Sequence, residues 1–205
     1  MYAIDKGKRY TYDEYLSWDT PDRYELLEGV PRLLSKGERL NGKLPGDDTP
    51  EMMMAPAPGE RHQSAGGEIY RQLSNYLRKR PCKVYAAPFD VKLRSDEKAI
   101  VVEPDIVVVC DRSKITERGC DGAPDLCVEV LSPSTWNYDM GVKYQLYLNA
   151  GVREYWIVDP ESKKVYVHVL QAEEKYLGSV YEPPARVPVS VLEGCEIDLG
   201  EVFAE

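Results

Sequence analysis

From Lys83 to Asp159 the chain alternates between short, almost continuously apolar runs and polar punctuation. "KVYAAPFDVKL", "PDIVVVCD", "PDLCVEVL" and "REYWIVD" each have strand length and are rich in β-branched residues. The second and third are so uniformly apolar that they read as central strands covered on both faces. Helical periodicity brackets them. Ala65, Ile69, Leu73, Tyr76 and Leu77 recur at helix spacing and Pro81 ends the run, which predicts a helix over about residues 61–80. A second helix is predicted over about 138–149, capped near Ser134 or Thr135 and stopped at Gly151. The order helix, three strands, helix, strand predicts a mixed α/β sandwich around one sheet.

Outside this block, Thr11 followed by Glu14 is a capping-box signature for a helix over about 12–18. "RYELLEGVPRLL" reads as a hairpin turning at Glu28 and Gly29. Residues 36–59 hold four prolines and four glycines with little periodicity, and read as one long loop. After a hairpin through "DPESKK", the strand "VYVHVL" and a proline-bearing tail with one or two short edge strands complete the chain.

Length and charge narrow the picture. The 205 residues suit a single domain spanning 1–205, large enough to bury a core. A formal charge of -9 argues against coating nucleic acid or anionic membrane through bulk charge, so any polyanion must be met locally. The five cysteines, at 82, 110, 120, 127 and 195, form no CxxC pair; the expectation is reduced thiols in a cytoplasmic protein. No apolar signal core opens the chain and no run is long enough to span a bilayer, so neither secretion nor membrane insertion is expected.

The chemistry begins with a charge in an apolar strand. In "DLCVEVL" the period of two sends Leu126, Val128 and Val130 to one face and Asp125, Cys127, Glu129 and Leu131 to the other, so Glu129 occupies a covered face. Asp105 starts the preceding central strand, directly after Pro104. If those strands pair, the two carboxylates converge. Two hard oxygen ligands, completed by water and a main-chain carbonyl such as that of Val130, suit Mg²⁺ or Mn²⁺. The competing readings are a buried, hydrogen-bonded carboxylate at Glu129 and ordinary Pro-Asp turn chemistry at Asp105.

"EPDIVVVCD", "GAPDLCVEVLSPST" and "GVREYWIVDP", with "RYELLEG" and "APAPGERHQSAGGEIYRQL" upstream, closely resemble the Uma2-type restriction endonuclease family, a branch of the PD-(D/E)xK nuclease superfamily. The resemblance runs from about Tyr10 to Leu170. It implies a restriction-endonuclease-like core, Asp105 and Glu129 as metal ligands, and a divalent ion that activates water against phosphate. The chain departs from the superfamily pattern at Leu131, where a lysine is usual two residues after the glutamate. Lys143, beside the stripe of Met140, Tyr144, Tyr147 and Leu148, is the replacement expected here; its bland alternative is a surface i,i+4 partner of Asp139.

His62 opens the first helix on its inner stripe and is read either as a group near the metal and leaving group or as a core histidine. Glu68, on that helix's flank, is read as an extra acidic ligand or as a solvated side chain. Arg71, Arg78, Lys79, Arg80 and Lys83 form the one basic stretch suited to DNA phosphates, or else complement a helix C-terminus. The resulting expectation is a Mg²⁺-dependent endonuclease acting on DNA, homodimeric because its terminal hairpins and "VYVHVL" offer apolar sheet edges. The rival is a catalytically weak or inactive homodimeric binding protein on the same fold.

Overall fold

The structure is a computed structural model that describes residues 4–5, 7–35, 59–96, 98–132, 136–172 and 174–204. Most of the 36–59 loop and the Ser134/Thr135 cap fall outside these residues. In chain order the elements are α1 (Tyr12–Leu16), β1 (Arg23–Leu27), β2 (Val30–Ser35), α2 (Glu60–Tyr76), β3 (Lys83–Ala86), β4 (Asp90–Arg94), β5 (Ile100–Val102) and β6 (Ile106–Val109). There follow a 3₁₀ turn (Arg112–Lys114), β7 (Ile115–Thr116), β8 (Gly119–Asp121), β9 (Leu126–Val130), a π-helical segment (Tyr138–Lys143), α3 (Tyr144–Ala150), β10 (Glu154–Asp159) and β11 (Lys164–Leu170). The chain closes with β12 (Tyr176–Tyr181), β13 (Arg186–Pro188), β14 (Glu196–Asp198) and α4 (Leu199–Val202). No described helix is long and apolar enough to cross a membrane.

Contacts group the chain into two units, residues 1–57 with 92–102, and residues 58–91 with 103–205. In the first, the expected capping box is present: Glu14 N–H donates to Thr11 Oγ1, and Glu14 returns a carboxylate to the Thr11 amide. The β1–β2 hairpin turns where expected, through Glu28 (φ 49°) and Gly29 (φ 81°), both left-handed as a two-residue turn requires. Tyr10, Leu26, Ala99 and Val101 form its small core. Here β1 pairs with β5, a strand the sequence reading missed because it is only three residues long. These N-terminal strands lie in a different sheet from β6, β9 and β10 and do not extend that central one.

The second unit is built on a six-stranded sheet of order β12-β11-β10-β9-β6-β3, parallel only between β9 and β10. The predicted alternation of β9 holds. Leu126, Val128 and Val130 join Trp156 and Val158 on one face, under Ala65, Ile69 and Leu73 of α2 and the β13–β14–α4 tail. The opposite face carries Cys127 and Glu129 beneath α3, whose Tyr147 packs 4.8 Å from the ring of Tyr155. Burying these strands on both sides explains their continuous apolar runs.

Several expectations are corrected. Helix α2 ends at Tyr76 with the turn at Leu77, short of residue 80. "KVYAAPFDVKL" is broken into β3 and β4 around Pro88, which has no N–H for a ladder. The 138–149 helix starts as a π-helix before becoming α3. Cys82 and Cys110 are not free thiols but a disulfide. They face each other just beyond the Lys83–Val109 pair of antiparallel β3 and β6, a juxtaposition created by register and invisible in their spacing of 28. "VYVHVL" is not an edge, since β11 pairs with β10 and β12.

His168 of β11 sits among the rings of Tyr144, Tyr155 and Tyr176, and burial lowers its pKa below the ordinary 6.5. The folded chain therefore resists a proton that the unfolded chain accepts. Its contribution to stability is full above pH 6.5 and is lost as pH falls through the lowered value. Chemical denaturation as a function of pH should show this loss in the wild type and a flatter profile in His168→Gln; equal slopes for the two proteins would refute the assignment.

Candidate active site

The site lies at the end of the second unit's sheet where β6 begins and β9 finishes. Ile106 pairs with Val128, so the same antiparallel register places Asp105 across from Glu129. The strand pairing assumed from the sequence is therefore present, with the two residues opposite each other in register. Asp105 Oδ2 accepts the Val130 amide at 2.7 Å, which fixes the carboxylate against the last turn of the β9 ladder. His62 reaches in from the first turn of α2, its Nε2 3.4 Å from Asp105 Oδ2, and also bonds the Val130 backbone. Burial alone would lower the His62 pKa, but the bond to and charge of Asp105, with Val130 and Asp139, outweigh it and raise the value.

Glu129 points to the α3 side. Its Oε1 accepts Lys143 Nζ at 2.8 Å and the Tyr147 hydroxyl at 2.7 Å. Lys143 also lies 3.8 Å from Asp139 Oδ1 and 5.4 Å from the centre of the Tyr138 ring. Glu129 and Lys143 are each only 4% exposed, and Asp139 is 2% exposed, so the surface-partner reading of Lys143 is wrong. The π-helical winding explains how: the wider turn brings Asp139 and Lys143 inward together before α3 resumes regular geometry. Burial and the Glu129 charge push the Tyr147 phenol well above its ordinary range, so it stays a proton donor to the carboxylate.

Asp105, Glu129, Lys143 and His62 are thus neighbours of one backbone segment, Glu129–Val130. Asp139 and Tyr147 complete the cluster. Sequence reasoning treated Asp139 only as a surface partner and Tyr147 only as core, although Tyr147 follows Lys143 by one helical turn and that spacing was the available signal. Glu68 stands apart, holding Arg71 at 2.5 Å and Gln72 at 3.0 Å. Arg71 itself bridges Glu68 and Glu201. Arg80 lies over the Tyr76 ring, and the Arg78–Arg80 turn follows the C-terminus of α2. About 20 Å of helix, at 1.5 Å per residue, separates that end from His62. The basic stretch and the carboxylates are therefore at opposite ends of α2.

Among the described residues no group of three or more His, Cys, Asp and Glu side chains is arranged to hold a metal ion. The donors at hand are the Asp105 and Glu129 carboxylates and the Val130 carbonyl, all hard oxygens. That set fits an ion such as Mg²⁺, which keeps several waters and needs only one or two carboxylates.

The buried pair yields a stability test. Lys143→Met leaves Glu129 charged and without its ammonium, and should cost about 3–5 kcal/mol in urea unfolding. Adding Glu129→Gln removes the stranded charge and should recover much of that loss. Additive losses in the double variant would show that the two side chains do not act as a pair.

The signature of the Uma2 family, described as "Putative restriction endonuclease", matches residues 47–200. An uncharacterized protein of Synechocystis sp. is 28% identical over 156 residues, covering 75% of this chain and 70% of that protein. A crystal structure of a "putative nuclease belonging to DUF820" from Anabaena variabilis superposes with a TM-score of 0.68 at 21% identity, over 95% of this chain and 98% of that one. That likeness shows a shared nuclease-like mixed α/β fold. With more than half of its length inside the family signature, the chain belongs to the Uma2 family.

Proposed function

We propose that the protein is a metal-dependent endonuclease that hydrolyses phosphodiester bonds of DNA at the Asp105–Glu129 end of the sheet. The observation that carries this reading is the buried lysine. A superfamily position filled here by Leu131 has its charge supplied by Lys143, 2.8 Å from Glu129. A chain needing only a stable core would gain more from apolar packing at both places.

Asp105, Glu129 and the Val130 carbonyl would hold Mg²⁺ or Mn²⁺. When bound, such an ion lowers the pKa of water and offsets charge on phosphate. The protein's own groups do the rest. Tyr147 and Lys143 fix Glu129 Oε1 by two hydrogen bonds, so the carboxylate cannot swing toward solvent. The Val130 amide does the same for Asp105 Oδ2. The Lys143 ammonium supplies preorganised positive charge in a water-poor site, where charge developing on a pentavalent phosphate is best stabilised. His62 anchors the first turn of α2 to the same two residues and sets the approach to them.

A second reading, a weakly active or inactive binding protein, is favoured by Leu131 and by the engagement of Lys143 with both Glu129 and Asp139. The two readings part in one set of measurements. Mg²⁺ or Mn²⁺ should raise the wild-type melting temperature, and this rise should vanish in Asp105→Ala and Glu129→Ala. Lys143→Met should keep a metal-dependent rise while cleaving DNA about 100-fold more slowly or worse. Equal metal stabilisation in all variants would remove the proposed site. Wild-type cleavage by Lys143→Met would remove the lysine's role.

For assembly, β12 is one of the two terminal strands of the second unit's six-stranded sheet, uncharged from Tyr176 to Tyr181, with Leu177 and Val180 exposed. A long uncharged edge invites strand pairing, and a second copy of the chain is the partner that fits it. Light scattering should give twice the monomer mass for the wild type and the monomer mass for Leu177→Lys. A wild-type monomer at high concentration would refute this.

A further inference from the structure

Beside the carboxylates lies a cavity of about 650 Å³, within the range of small-molecule sites. Its wall is formed by the start of α2 (Glu60, Arg61, His62), the residues after β9 (Leu131, Ser132), Trp136, and the β10–β11 turn (Asp159, Pro160, Glu161). It shares His62 with the Asp105–Val130 cluster, so whatever fills it lies next to the proposed centre. Nothing in the hydrolytic scheme above uses this space.

We propose that the cavity receives one unpaired base of the DNA strand, stacked on Trp136, and that the preferred substrate is DNA single-stranded or locally opened at the cleavage point. The inference rests on the nuclease reading and names its substrate class. Two features of the wall select a base. The first is Trp136, whose side chain is 40% exposed at the cavity while Trp156 is fully buried in the core. An indole face left beside a cavity is the platform on which any base can stack, whatever the sequence.

The second is charge. The wall carries the carboxylates of Glu60, Asp159 and Glu161 against the guanidinium of Arg61 and the imidazole of His62; Arg61 is paired with Glu161 at 2.6 Å and His62 lies 3.4 Å from Asp105, so the carboxylates outnumber the basic groups. Such a wall repels the phosphate backbone. It suits a neutral base edge, whose amino and imino N–H groups find acceptors there. The base enters while its phosphates stay outside, toward Asp105 and Glu129. A base held in a duplex cannot make this entry without leaving its stack, which costs least where the strand is already unpaired.

The test uses the full chain in EDTA, so that binding is read without cleavage. Fluorescence anisotropy would compare three labelled DNA probes: a 12-nucleotide single strand, a matched duplex, and the same duplex with one unpaired base. The wild type should bind the two unpaired probes roughly ten-fold or more tightly than the matched duplex, the scale of one base–aromatic stack. Trp136→Ala should lose that preference, Trp136→Phe should keep most of it, and matched-duplex binding should not change. A wild type with no preference, or a Trp136→Ala variant that keeps it, overturns the proposal. Adding Mg²⁺ to the same probes separates the two layers of argument. Preference without cleavage upholds the cavity and sinks the nuclease reading; cleavage without preference does the opposite.

Discussion

The arrangement of the second unit depends on a charge pair in a place where charges are expensive. Glu129 and Lys143 meet at 2.8 Å with almost no solvent contact. An isolated ion there would cost several kcal/mol, so each side chain is tolerable only while the other is in place. This couples two distant stretches of chain. Strand β9 must present its glutamate to the α3 face, and the segment before α3 must wind widely enough to bring a lysine inward. Tyr147 and Tyr155 then close over the pair, with Tyr155 donating its hydroxyl to the Asp139 carbonyl at 3.0 Å.

The same constraint explains why the apolar partners are ordinary. Once Glu129 faces α3, strand parity sends Leu126, Val128 and Val130 the other way, where α2 and the C-terminal tail supply an aliphatic core. Helix α2 packs closely on β9 at Gly66, where a Cβ would make an ordinary contact 3.5 Å from Val130 Cγ2. That approach carries His62, one turn earlier on α2, up to Asp105 and Val130. Core packing on one side and ion pairing on the other thus converge on two successive residues of one strand.

Much of this was legible in the sequence. The period-two pattern of "DLCVEVL" gave the faces of β9 correctly, and the helical stripe placed Lys143 near the inner side. The hairpin at Glu28–Gly29 and the capping box at Thr11–Glu14 were readable because local chemistry dictates both. What escaped depends on partners far along the chain. The Cys82–Cys110 bond exists because two strands pair in a given register. The π-helical winding at Tyr138–Lys143, which turns Asp139 and Lys143 inward, has no propensity signal of its own. Arg71 looked available to phosphate until Glu68 and Glu201 were seen to hold it from both sides. Strand β11 looked like an edge because its neighbour, β12, has a glycine and a serine at its middle and little apolar pattern.

The disulfide also has a meaning for the connectivity of the chain. Between Cys82 and Cys110 the polypeptide leaves the second unit, contributes Lys92–Val102 to the first, and returns in time to place Asp105. The bond therefore closes a covalent ring around an excursion, with the excursion's entry and exit tied at β3 and β6. A single protease cut within Lys92–Val102 would open the backbone without parting its two halves. The fragments would migrate as one molecule until a reductant was added, and the strand that bears Asp105 would stay tethered to the sheet throughout.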